Sequence, residues 1–258
     1  MFPFLPLWVK VYICLVAFLL GAVMGSALNC LAFRIVRGQK WSGGRSACPH
    51  CGHTLGAKDL IPVASFLLLR GKCRYCGAKL ARRYFLAEVL LGACYVTLVV
   101  RFGISFDTIS AMVLCSCLLS LSLVDLDIQI IPDRFLLIPA AVRLVQLILQ
   151  GNLLSGVIPA FVFGGGLLCL SLVMDKVLKK DSMGGGDIKL MAVLGLYFSV
   201  PECLLLLIIA CVVGIAVARL TMGEEENAPF PFGPALSIAA YITLLFGQLI
   251  TQWYLSLF

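Results

Sequence analysis

The sequence predicts an all-α polytopic membrane protein of about eight transmembrane helices, with one large polar loop between the first two. Three observations predict it. Only 13% of its 258 residues are charged, about half the ~25% of a soluble domain. Hydrophobic residues make up 61% and the mean hydropathy is +1.05. They also fall in runs near twenty, the length that crosses ~30 Å of hydrocarbon as a helix.

The first run, "VYICLVAFLLGAVMGSALNCLAF" (11–33), is too long for the ~7–15-residue apolar stretch of a removable signal peptide, and is expected to be a span. The polar loop follows over 34–83. Further apolar runs cover 84–100, 107–126, 134–150, 154–174, 185–200, 203–221 and 234–252. The sixth span opens on glycines and carries Asp187 and Lys189, which makes it the least regular. Three regions follow: a first helix (1–33), a cytoplasmic loop (34–83) and a membrane core (84–258).

Lysine and arginine set the expected orientation. The loop holds eleven of the twenty basic residues against one acidic residue, Asp59. Alternating spans bring the basic residues on that side to seventeen, leaving Lys10 and Arg101 opposite and Arg143 inside a span. The crowded side is expected to be cytoplasmic, with both termini outside. The net charge of +7 then reflects topology and contact with the lipid bilayer. It does not point to nucleic acid, since no basic and aromatic surface accompanies it.

Eight of the twelve cysteines lie in or beside spans, where they read as small packing residues. The other four form "CPHC" and "CRYC" in the loop: Cys48, Cys51, Cys73 and Cys76. Each C-x-x-C can grip one side of a tetrahedral ion from a tight turn, and Gly52 and Gly77 suit that turn. A reducing cytoplasm argues against disulfides. The expectation is a zinc-ribbon-like loop, structural because four thiolates close the coordination sphere. His50 and His53 lie close enough to compete as ligands, though a place on the loop surface or as donors beside the ligands suits them better. A loop poor in apolar residues gains its order from such a staple.

"LVDLDIQIIPD" puts Asp125, Asp127 and Asp133 at the end of a long apolar run, and "GGGDIKL" puts Asp187 at the head of another. A carboxylate at the bilayer centre costs ~3 kcal/mol on the insertion scale, so such residues mark function or lie at a wet boundary. Asp125 and Asp127 point ~200° apart on a helix and cannot serve one site equally. Asp187 stands at a helix N-terminus, which favours an anion. Two carboxylates from different helices can share a proton, one taking a proton from water while the other donates to a carbonyl. The rival reading has these aspartates capping helices or pairing with Lys189, Arg134 and Lys180, and it weighs most for Asp127 and Asp133.

In order along the chain, these segments resemble the bacterial type IV prepilin leader peptidases, aspartyl proteases of the GxGD type. "GSALNCLAFR" is similar to the family opening G-S-F-L-N-x-x-x-x-R, "DLDIQIIPD" to D-x-D-x-x-x-I-P-D and "GGGD" to G-x-G-D. "IPVASFLLLRGKCRYC", "RRYFLAEVLLG" and "FPFGPAL" resemble further family segments. Ala27, Ala81 and Phe85 replace the usual Phe, Ser and Pro. The resemblance implies catalytic Asp125 and Asp187, with Asp127, Asp133, Gly184, Gly186 and Lys189 as supporting motif residues. It implies cleavage of a basic leader after Gly from prepilins or type II secretion pseudopilins, at the cytoplasmic face of the bacterial inner membrane. The partner is then a hydrophobic substrate helix. It also implies N-methylation of the new terminus with S-adenosylmethionine, for which Glu88, Gly71, Asn29 and Arg34 are candidates. Glu88 would take a proton from the amine or face the sulfonium, against the plainer reading of a salt bridge to Arg82 or Arg83. The acidic run Glu224–Glu226 reads as a solvated loop that could attract a basic leader. An ion-coupled transporter or channel with a regulatory zinc loop is the alternative. A zinc protease is disfavoured by the closed thiolate set and the absence of H-E-x-x-H.

Overall fold

The computed structural model describes residues 6–40, 46–179, 183–221 and 231–257. Lys180 and the Glu224–Glu226 run lie outside them. The described chain is nearly all helical and divides into two compact units, residues 1–120 and 121–258.

In the first unit, α1 (Leu7–Val36) and α3 (Arg82–Phe102) pack antiparallel on a seam of small residues. Glycines four apart let backbones meet without side chains between them. A Cβ on Gly21 would stand 2.6 Å from the Leu91 carbonyl oxygen, and one on Gly25 would stand 2.7 Å from that of Ala87. Gly92 receives the Phe18 ring in return. Between these helices run the polar loop and a short α2 (Ala64–Leu68). The following α4 (Phe106–Ile128) begins in this unit, where Tyr95 Oη and Ser116 Oγ lie 2.8 Å apart.

The second unit takes the end of α4 and adds α5 (Arg134–Leu149), α6 (Leu153–Leu178), α7 (Gly185–Gly195), α8 (Val200–Thr221) and α9 (Gly233–Leu255). The α6–α7 contact is another close seam. A Cβ on Gly195 would stand 2.5 Å from Ala160 Cα, and one on Gly164 would stand 2.6 Å from Ala192 Cβ. Ser122 Oγ donates to Ser237 Oγ at 2.8 Å, tying the end of α4 to α9.

Helices stand at all eight expected spans. Six of those described are long and apolar enough to cross a bilayer: α1, α3, α4, α6, α8 and α9. The other two are shorter. α5 has 16 residues with Pro139 inside it, and α7 has 11. After Gly195 the chain tightens into a turn, with Tyr197 N–H donating to Leu194 O at 2.9 Å. Arg143 of α5 meets this end. Its Nε donates to Leu196 O at 3.1 Å and its guanidinium lies 5.3 Å from the Tyr197 ring centre. A cation inside an apolar run thus satisfies a carbonyl that an early helix end leaves open.

Candidate active site and metal centre

α4 carries Asp125 inward and Asp127 outward. Asp125 is 5% exposed, whereas Asp127 is exposed, as their helical angle requires. Asp125 Oδ2 accepts the Gly233 backbone N–H at 2.9 Å, at the first turn of α9. A Cβ on Gly233 would lie 2.7 Å from that oxygen, so only glycine leaves the carboxylate its place. Helix α4 then ends through Gln129, at φ 55°, whose N–H returns to Asp125 O at 2.9 Å.

Asp187 lies in the first turn of α7, with Gly184 as N-cap. Its N–H donates to Gly184 O at 3.0 Å, and a Cβ on Gly184 would sit 3.0 Å from Asp187 Oδ2. Among the described residues its Oδ1 is buried without a hydrogen-bond partner. The turn that follows Asp125 and the helix start that carries Asp187 lie together in this unit, as the close approach at Gly186 shows. A Cβ on Gly186 would stand 2.9 Å from Ile131 Cβ. The glycine run therefore lets the α4–α5 turn lie directly on the start of α7. Lys189 Nζ and Asp133 Oδ1 form an ion pair at 2.8 Å across the same junction. Asp133 occupies the N-cap position of α5 without a side-chain cap bond. The pairing expected for it is present and the capping bond is not.

In the loop, the two C-x-x-C-G segments fold alike. Gly52 N–H donates to Cys48 O at 2.9 Å and Gly77 N–H to Cys73 O at 3.0 Å, with φ of 69° and 70° at the glycines. Ala47 bridges Thr54, and Lys72 bridges Lys79. All four sulfurs lie within 4.8 Å of one another, Cys48 and Cys73 buried, Cys51 and Cys76 exposed. Zn–S bonds of ~2.3 Å place tetrahedral sulfurs about 3.8 Å apart, and Cys48 and Cys76 are at 3.9 Å. The donor set and its spacing therefore fit a metal ion. The Cys51 backbone N–H, foremost among its partners, holds the Cys48 thiol down at about 6, while Cys76, despite the Ala78 backbone N–H, is pushed up to about 11 by desolvation and its neighbouring thiols. The His53 ring lies tilted against Tyr75 with centres 3.7 Å apart, and both His50 and His53 are exposed on the loop surface. Asp59 closes the loop, accepting from Arg74 Nε at 2.6 Å and from Tyr75 Oη at 3.2 Å.

Beside the thiols lies a cavity of ≈ 530 Å³, within the ~300–1,000 Å³ of small-molecule sites. Of the methylation candidates, Glu88 and Arg34 line it. Asn29 is 2% exposed on the α3-facing side of α1, its Nδ2 without a partner among the described residues. Gly71 has φ 68°, and a Cβ there would meet the Phe66 ring at 2.9 Å. Glu88 Oε2 accepts the Val63 N–H at 2.7 Å.

Sequence reasoning missed two roles. In the sequence Gly233 stands only within "FPFGPAL", where a glycine before proline at a helix start is the available signal. Val63, held at φ 62°, carries no signal at all, because β-branched residues avoid that region.

The family model described as "Bacterial Peptidase A24 N-terminal domain" matches residues 19–102, and that described as "Type IV leader peptidase family" matches residues 112–219. Among curated relatives, an Aeromonas hydrophila protein named prepilin leader peptidase/N-methyltransferase is 35% identical over 83% of this chain and 76% of its own. Proteins of the same name from Bacillus subtilis (strain 168) and Burkholderia pseudomallei (strain 1026b) are 30% and 36% identical. They cover 94% and 83% of this chain, and 98% and 70% of their own lengths. No solved structure matches the chain.

Proposed function

The chain belongs to the type IV leader peptidase family, and on that footing we propose that it is a membrane aspartyl endopeptidase that removes the basic leader from type IV prepilins or pseudopilins and then N-methylates the new terminus. The observation that carries the peptidase is a buried Asp125 held by the Gly233 N–H, with the α4–α5 turn packed on the start of α7 that bears Asp187. An ion-coupled transporter gains no support from the family.

The chemistry runs through one shared proton. The ionised aspartate takes a proton from water as the water oxygen bonds to the scissile carbonyl carbon. The protonated aspartate donates to the carbonyl oxygen. Collapse of the tetrahedral species breaks the C–N bond as the aspartate protonated by water gives its proton to the leaving nitrogen and the other takes one back from a hydroxyl, which leaves a carboxylic acid and restores the shared proton. Gly184 and Gly186 support the dyad by letting the α4–α5 turn lie on the start of α7, the exposed Asp133–Lys189 pair adds a weak tie across the same junction, and Asp127 belongs to the motif from the outer face of α4. Gly before the cut lets the substrate helix unwind at its end.

Methyl transfer joins the new amine nitrogen to a methyl group and leaves the amine one proton to lose. S-adenosylmethionine would supply that methyl from its sulfonium, whose S–C bond breaks to leave a neutral thioether. Its place is the loop cavity, with Arg34 and Glu88 in the wall and Asn29 and Gly71 shaping the helices and turn behind it. Cys48, Cys51, Cys73 and Cys76 hold a structural Zn²⁺ that orders residues 34–83 as a unit between the first helix and the core of 84–258. The enzyme sits in the bacterial inner membrane, loop and dyad on the cytoplasmic face, both termini outside.

Purified protein in detergent is the test. It should shorten a prepilin, and mass spectrometry of the product's first residue reads both the cut and the added 14-unit methyl increment expected for one N-methylation. Asp125→Asn or Asp187→Asn should lower cleavage ~10²–10⁴-fold while the protein still inserts. Full cleavage by either variant removes that residue from the dyad.

A further inference from the structure

We infer that Glu88 is a positioning residue for methyl transfer: its carboxylate fastens the turn at Val63 and so sets the cavity wall that α2 forms. This rests on the proposed methyl-transfer reading. It replaces the roles that the sequence alone suggests for Glu88, a proton acceptor or a counter-charge to sulfonium.

Val63 has φ 62° and ψ −52° immediately before α2. Ala64 N–H donates to Pro62 O at 2.6 Å, closing a three-residue γ-turn of the rare and strained hand. A β-branched residue persists there only where its surroundings over-determine it. The surroundings are specific. Pro62 has its own φ locked by its ring, and Val63 N–H donates to Glu88 Oε2 at 2.7 Å, across 25 residues of sequence.

Glu88 makes a firm anchor. It is 8% exposed, on the face of α3 that also buries Ala87 and Leu91. The Gly25 backbone approaches this point so closely that a Cβ there would lie 3.0 Å from Glu88 Cα. Three residues earlier on α3, Phe85 stacks on Phe66 of α2 with ring centres 5.1 Å apart. The hydrogen bond and the ring stack together hold the turn at Val63 and the middle of α2 against α3. Ser65, Phe66 and Leu69 of that segment line the cavity, as do Phe85 and Glu88. Releasing Val63 therefore moves cavity wall, while Glu88 has one carboxylate oxygen committed to backbone.

Two conservative variants separate position from charge in the full-length protein purified in detergent. Glu88→Gln keeps an oxygen at the same reach and loses the charge. Glu88→Asp keeps the charge and withdraws the oxygen by about 1.5 Å. Positioning predicts that Gln stays within about threefold of wild type for KM of S-adenosylmethionine, whereas Asp and Ala raise it at least about tenfold. Leader cleavage should hold in all three. Amide hydrogen exchange over residues 63–69 should accelerate in Asp and Ala only. Val63→Gly, which adopts positive φ freely, should restore slow exchange and low KM to the Ala variant.

The reverse order, with Gln impaired and Asp intact while exchange stays slow, overturns the inference in favour of a role in charge. Unchanged exchange and KM in Glu88→Asp overturn it as well. A wild-type protein that cleaves but never methylates overturns the methyl-transfer reading and this role with it, and exchange at 63–69 then reports the fastening of Val63 to Glu88 by itself.

Discussion

Single atoms decide the dyad. Gly233 has no side chain, and its N–H is the donor to Asp125. Gly233→Ala would push a Cβ onto Asp125 Oδ2 and displace it. Losing a hydrogen bond to a buried charged group costs about 1.5–3 kcal/mol. Cleavage by that variant should fall about 10- to 100-fold with membrane insertion intact, as a prepilin assay on purified protein would read. The Lys189–Asp133 pair differs, because both side chains are about 60% exposed. Exposed pairs contribute ~0–1 kcal/mol. Asp133→Asn should keep cleavage within about threefold and shift the unfolding midpoint little. At this scale the sequence exposed the acids and hid their partners. Asp125 and Asp187 stood out because hydrocarbon penalises charge. Gly233 lies 108 positions from the carboxylate it serves and Val63 lies 25 from Glu88, and no local pattern reports a pairing at those separations.

Among elements, the glycine seams and the short α7 matter most. Apolar run length was enough to find all eight helices, since a span must satisfy its own backbone. It could not find where α7 stops. That end depends on Arg143, a cation of another helix, donating to Leu196 O. Hydropathy counts Arg143 only as a blemish in a span. Arg143→Met should therefore leave α5 inserted but loosen the end of α7, destabilising the fold by about 1.5–3 kcal/mol. A fluorescence-detected thermal melt in detergent reads this directly. Gly195→Val tests the seam itself. Its added carbons would meet the Ala160 backbone, and overpacking of this kind costs about 1–3 kcal/mol. Both variants should lower cleavage through displacement of α7, which carries Asp187.

For the whole molecule, the legible features were the balance of charge and the order of motifs. A cluster of basic residues in the 34–83 loop predicts which side faces the cytoplasm. Reporter fusions should therefore mark the loop as inside and the C-terminus as outside. The metal is open to direct count. Purified protein should carry one zinc per chain, and Cys73→Ser should lose it and raise proteolytic nicking between residues 46 and 80. The prediction draws on four sulfurs within 4.8 Å of one another in a segment with little apolar core. That all-sulfur nest has a further consequence. Soft donors do not favour zinc over heavier or cuprous ions, and cadmium accepts the same tetrahedral cage. An ion that took the four sulfurs in zinc's place would leave the loop folded, so an assay of folding would not register the exchange and only a direct metal count would.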